Sequence, residues 1–231
     1  MSDQRKVQAR VVGDYFPAWC RAQKTAVDAS TFDPDWSFLT PGMAQWFARA
    51  VDEGVVEIKD GWPTLPDGRH TYLFEKGGGR ARVYREGFLE VAAAGLLARR
   101  YGWSPERLKF QSAALGRSGA WTFDLLAYAD GAQDGVAIAA DAKWRQRDAI
   151  KLVHTLEVCG RRGDHDEADC DARKDDHRKY VGLVEFRPRL LWVIGPDAFA
   201  DKGPDLVFTV EIQSEGRVRL FRTQPDELRV G

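Results

Sequence analysis

The chain has 231 residues, 44% hydrophobic and 30% charged, with 8 tryptophans, 3 cysteines and a formal net charge of −1. The apolar share supports a packed core and argues against global disorder, while the near-zero charge argues against a broad electrostatic grip on nucleic acid. No apolar run approaches the ~20 residues that span a bilayer, and the scattered cysteines and an opening without the apolar core of a secretory signal make a cytoplasmic protein the expectation.

In chain order, PGMAQWFARAVDEG at 41–54 predicts a helix, with Pro41 in the first turn after Thr40 and Gly54 at the end. Residues 55–76 predict two short strands around a Pro/Gly-rich turn. A helix followed by a hairpin resembles the end of a winged-helix module, and it equally describes a structural lid or a dimerisation element. GGG at 77–79 then reads as a hinge between an N-terminal accessory region, 1–79, and a main domain, 80–231.

Residues 83–102, rich in Ala and Leu and closed by Gly102, predict a strong helix. Three strands follow at 107–115, 120–129 and 135–144, joined by loops containing Gly116, Gly119, Gly131 and Gly135. A helix over about 146–159 places Ile150, Val153 and Leu156 at helical spacing, and 160–176 is a charged surface segment. RLLWVIG at 189–195 is a buried-type strand, and 205–212 with 217–223 predicts a closing hairpin. Basic residues gather between Arg80 and Arg117, either as a local phosphate-facing surface or as an ordinary solvated helix face.

In GVAIAADAKW, a period of two places Val136, Ile138, Ala140 and Ala142 on one face, and Ala137, Ala139, Asp141 and Lys143 on the other. An acid and a lysine thus project side by side beyond small alanines. Asp124 lies in the preceding apolar strand, and a short connection makes the two strands antiparallel neighbours. Paired buried carboxylates require a positive partner, and a hard divalent ion with oxygen ligands supplies one. Glu90 shares an otherwise apolar helix face with Ala94, Leu97 and Tyr101; Glu86, one turn earlier, competes for the same role.

Over roughly 83–195 these residues resemble the PD-(D/E)XK, or restriction-endonuclease-like, nuclease superfamily. Asp124 matches the first strand acid, Asp141-Ala142-Lys143 the (D/E)XK element, and Glu90 the acid on the first core helix. Phe123 stands where the family often has proline. The resemblance implies an α/β fold with an α-β-β-β-α-β core, a mixed sheet flanked by helices. It also implies Mg²⁺-dependent (or Mn²⁺-dependent) hydrolysis of phosphodiester bonds, with DNA as the expected partner and RNA the alternative. Asp124, Asp141, the carbonyl of Ala142 and Glu90 would hold metal, Lys143 would orient or help deprotonate water, and Arg145, Arg147 and Arg117 would contact nucleic acid. Gln146 lies near an extra glutamine that some members carry. Many members are homodimers; no heptad or stripe in this chain argues for a particular oligomer. The main rival is a non-cleaving nucleic-acid-binding or protein-interaction module on the same fold.

His154, Cys159, His165, Cys170 and His177 concentrate three of the 4 histidines and two of the 3 cysteines in one stretch. They describe either a zinc site or a polar insertion with solvated histidines, since no CxxC pair is present. HRKY at 177–180 opens the last helical segment and reads as helix surface, with nucleic-acid contact as the alternative. GGGRAR lacks the GK[ST] of a P-loop, and GRSGAW at 116–121 has no G-x-S-x-G elbow and reads as a hairpin turn.

Overall fold

A computed structural model of the chain describes residues 2–23, 32, 34–77, 80–110, 123–129, 135–172 and 174–230. It is a mixed α/β molecule built on a six-stranded sheet with helices against it. The central helix α4 (Arg85–Arg100) explains much of the packing: every residue from Gly87 to Ala98 is buried. A helix apolar all round must be covered on all sides. The sheet covers one side. Helix α1 (Asp3–Arg10), a π turn over Val11–Tyr15, α2 (Phe16–Ala22) and α3 (Pro41–Asp52) precede it in sequence, and residues from all of them enter the same core. Gly95 lets α3 approach closely, since a Cβ there would lie 2.6 Å from the Trp46 carbonyl oxygen.

Helix α3 starts as its sequence predicts. The Thr40 hydroxyl accepts from the Met43 amide at 3.2 Å, and Pro41 takes the first turn. Two small hairpins follow, β1 (Glu57–Lys59) with β2 (Trp62–Thr64), and β3 (Phe74–Gly77) with β4 (Arg80–Val83). Gly77 pairs with Arg80 across the second hairpin, and Gly78 and Gly79 of the expected hinge lie outside the described residues. The strand at 74–77 pairs forward with 80–83, not back onto 57–59.

The main sheet has the order β10-β9-β8-β7-β6-β5. β5 (Leu108–Phe110), β6 (Leu125–Tyr128) and β7 (Val136–Ala142) are antiparallel neighbours, and β8 (Leu190–Ile194) runs parallel to β7. The parallel connection carries α5 (Gln146–Arg162) and α6 (Lys174–Phe186). β9 (Val207–Ile212) and β10 (Val218–Arg222) form the expected closing hairpin. β8 is buried along its whole length, as a strand between two covered faces must be. Its side chains divide the molecule: Leu190, Trp192 and Ile194 face the α4 core, while Leu191 and Val193 face the core under α5 and α6.

Three expectations about faces need correction. Ile138, Ala140 and Ala142 share the α4 side as the alternation requires, but Ala137 joins them and Val136 faces the other way. A register shift opposite Ala127 and Tyr128 absorbs the extra residue and flips the strand's first positions. On α5 the buried positions are Ala149, Leu152, Leu156 and Cys159, whereas Ile150 is 55% exposed. The segment 160–176 is shorter as a loop than its charge suggests, because α5 continues to Arg162 and α6 begins at Lys174.

Candidate active site

Asp141 and Ala142 end β7, where it lies beside β8, and the Lys143 amide extends the pairing by donating to the Ile194 carbonyl at 2.9 Å. The carboxyl ends of parallel strands are where open α/β sheets bind ligands. Asp124 comes from the residue before β6 and is tied to β7 twice. Its amide donates to the Ala140 carbonyl at 2.9 Å, and its carboxylate accepts the Ala142 amide at 2.7 Å. The antiparallel pairing therefore fixes the two aspartates on neighbouring strands at one end of the sheet.

Asp141 is fully buried, and both of its oxygens are engaged: Lys143 Nζ holds one and Lys179 Nζ the other. Lys143 also donates to the Ala142 carbonyl at 3.1 Å. Lys179 comes from α6, is 8% exposed, and arrives from the side of the sheet opposite α4. From the α4 side come Glu86 and Glu90, one helical turn apart. Glu90 is 4% exposed, and Glu86 accepts from Tyr84 Oη at 3.1 Å.

Four carboxyls thus meet two ammonium groups, and the protonation of each follows from its neighbours. Burial, then the negative charge of Asp141, pushes Asp124 up to about 7. Burial and the charge of Asp124 push Glu90 well above the carboxylate range, and burial raises Glu86 as well. Burial alone would raise Asp141 too, but Lys179 and Lys143 outweigh it and hold Asp141 below its usual value. Burial would lower the two lysines; Asp141 and Asp124 reverse this and keep both firmly protonated.

Asp124, Asp141 and Lys143 are therefore neighbours at one end of the sheet, and Glu90 and its competitor Glu86 are both close enough to feel their charge. Lys179 is the residue that sequence reasoning missed. Arg145 and Arg147 are exposed beyond Lys143, at the start of α5. Arg145 and Arg85 both lie over the Trp144 ring, at 4.0 and 4.4 Å from its centroid. Gln146 turns away and donates to Asp205 at 3.0 Å. Arg117 and the turn at 116–121 lie outside the described residues. Tyr84 also lines a cavity of about 390 Å³, with Trp19, Trp62, Tyr72 and Phe74 forming most of its aromatic wall.

The donor set suits a hard divalent cation. Its carboxyls offer only oxygen ligands and outnumber the lysines, so the protonated forms of Asp124 and Glu90 are favoured, and a dication would compete with those protons. No family model, curated protein or solved structure matches the chain, so its chemistry rests on these residues alone. Among the described residues no helix is long and apolar enough to cross a membrane.

Proposed function

We propose that the chain is a metal-dependent nuclease of the PD-(D/E)XK type that hydrolyses phosphodiester bonds, with DNA as its substrate. One observation carries this: Asp124, Asp141 and Lys143 meet at the carboxyl end of β7, with Glu90 supplied by the helix before the strands. The order α4, β5, β6, β7, α5, β8 supports a restriction-endonuclease-like core, with α6 as an addition between α5 and β8.

A Mg²⁺ or Mn²⁺ ion held by Asp124, Asp141, Glu90 and the Ala142 carbonyl would polarise a phosphoryl oxygen and acidify water. The chain's own groups do the rest. Lys143, held protonated by Asp141, is a hydrogen-bond donor and a charge for the phosphate, and not the base. Lys179 neutralises Asp141 from beneath the site. Arg145 and Arg147, exposed at the rim, fit flanking phosphates. The aromatic cavity beside Tyr84 offers surfaces on which bases stack, and this favours nucleic acid over a small phosphodiester.

The test is cleavage of plasmid, linear duplex, single-stranded DNA and RNA in Mg²⁺, Mn²⁺ or EDTA. Metal-dependent cutting of DNA that disappears in Lys143→Ala supports the assignment; cutting confined to RNA moves the substrate class.

A second reading is favoured by the saturation of Asp141. If two lysines permanently do the work of a cation, the fold binds nucleic acid or protein and does not cut. Lys179→Met separates the two: a nuclease gains divalent-ion affinity when a competing ammonium is removed, whereas the module only loses stability.

A further inference from the structure

On the far side of the sheet from α4, four side chains close on a single point. Cys159 comes from the last turn of α5, His165 and Cys170 from the segment between the helices, and His177 from the first turn of α6. One ligand atom from each lies within 4.8 Å of all the others, and the two sulfurs are 3.5 Å apart. A tetrahedral zinc with bonds of ~2.3 Å to sulfur and ~2.0 Å to nitrogen places its ligand atoms roughly 3.3–3.8 Å from each other. The cluster is one small contraction from that arrangement. We propose that Cys159, His165, Cys170 and His177 form a closed structural zinc site, separate from the carboxylate site.

The imidazoles support a ligand role independently of the spacing. His165 Nδ1 is engaged by the Gly163 carbonyl, which fixes the tautomer and leaves Nε2 with its lone pair. His165 Nε2 and His177 Nδ1 are both buried, and neither has a hydrogen-bond partner among the described residues. Buried polar atoms are almost always satisfied, and two orphans beside two thiols share one explanation.

Two thiolates and two imidazoles select a soft or borderline ion and leave no open position, which marks a structural site in contrast to a catalytic one. The segment they close needs such a tether. Among its described residues, between α5 and α6, it has one short 3₁₀ turn, no strand, and side chains dominated by exposed acids. Five candidates in the sequence reduce to four: His154 is exposed on α5 and outside the cluster. The consequence reaches the other site, because His177 and Lys179 share the first turns of α6. The zinc would hold in place the helix that delivers Lys179 to Asp141.

The experiment is elemental analysis of the full chain purified without a metal-affinity step, with about one zinc per chain expected. Cys159→Ser, Cys170→Ser and His177→Ala lose the ion, whereas His154→Ala and Asp141→Asn retain it. Since a ligand variant can fail to fold, the wild-type chain is also exchanged into Co²⁺. Intense visible d–d bands with a thiolate-to-metal charge-transfer band are expected. Absence of stoichiometric zinc together with the weak spectrum of six-coordinate cobalt overturns the proposal. So does thiol titration of the unfolded chain that finds Cys159 joined to Cys170 as a disulfide.

Discussion

Two clusters of titratable side chains stand out among the described residues, and they differ in one respect that decides how each behaves without an ion. The carboxylate site contains its own cations: Lys143 and Lys179 hold Asp141, so a metal there must compete with groups already paired. The four residues of the Cys–His cluster include none, and two of its nitrogens have no hydrogen-bond partner among the described residues. The first is open at its rim and has hard oxygen donors, as chemistry on a bound phosphate requires. The second is enclosed and soft, as a clip requires. A metal-free chain should therefore keep the first site folded and lose order around the second.

The largest expected effect comes from removing the acid that both lysines share. Asp141→Ala should reduce Mg²⁺-dependent cleavage by roughly 10²–10³-fold, the scale of losing an electrostatic group from a reaction centre. It also strands a buried ammonium at Lys179. Breaking one partner of a buried pair costs about 3–5 kcal/mol, so urea unfolding should show a loss of that order. Adding Lys179→Met to Asp141→Ala should return much of the stability and none of the activity. Recovery of cleavage in the double variant would remove Asp141 from the reaction.

Lys179 also shows where the sequence stopped being readable. Asp124, Asp141 and Lys143 are legible because strands alternate and neighbouring strands pair, so a local pattern places them together. Lys179 sits 38 residues from Asp141 on a helix that reads as surface. The signal was present: counting back one turn from buried Leu183 places Lys179 on the inward stripe of α6. The same reasoning excludes His154, which is about 140° around α5 from Cys159. The exchange of Val136 and Ala137 had no such signal, because a bulge depends on the partner strand. The pairing of Gly77 with Arg80 likewise depends on a partner strand, which the glycine run in the sequence does not announce.

Zinc removal should have the next largest effect, and it should be local. An ion present at a thousandfold excess over its Kd stabilises a fold by about 4 kcal/mol. At roughly 2–4 °C per kcal/mol for a chain of this size, a strong chelator should lower Tm by about 8–16 °C. Hydrogen exchange should accelerate in the end of α5, the 163–172 segment and the start of α6, with α4 unaffected. Uniform acceleration across all helices would mean that the cluster is no clip.

The carboxylate site should reveal itself through pH. Asp124 is raised from 3.8 to about 7, so the fold favours its protonated form. Its contribution is fully present below pH ~4 and is lost as pH rises to about 7, at up to ~1.4 kcal/mol per unit. Asp141, depressed, acts in the opposite sense, and its contribution is lost only as pH falls into the acid range. In EDTA, unfolding measured between pH 4.5 and 7.5 should therefore show a downward slope that Asp124→Asn flattens. Mn²⁺ affinity should climb by up to ~tenfold per unit over the same window, as the ion displaces that proton.

The smallest effect sharpens the contrast most. Burial and the charge of Asp124 favour the protonated form of Glu90 in the metal-free chain, and Glu90→Gln replaces that form with a neutral amide of the same shape. Metal-free stability should then change by no more than ~0.5 kcal/mol, although Glu90 is almost completely buried. Divalent-ion affinity should still fall, by about 10-fold, because an amide cannot be deprotonated to meet the ion. At the Cys–His cluster, loss of a ligand changes ion and fold together; at Glu90 the two separate. A stability loss above ~1 kcal/mol in EDTA would show that Glu90 is ionised and structural, and would leave Asp124 and Asp141 to hold any metal without it.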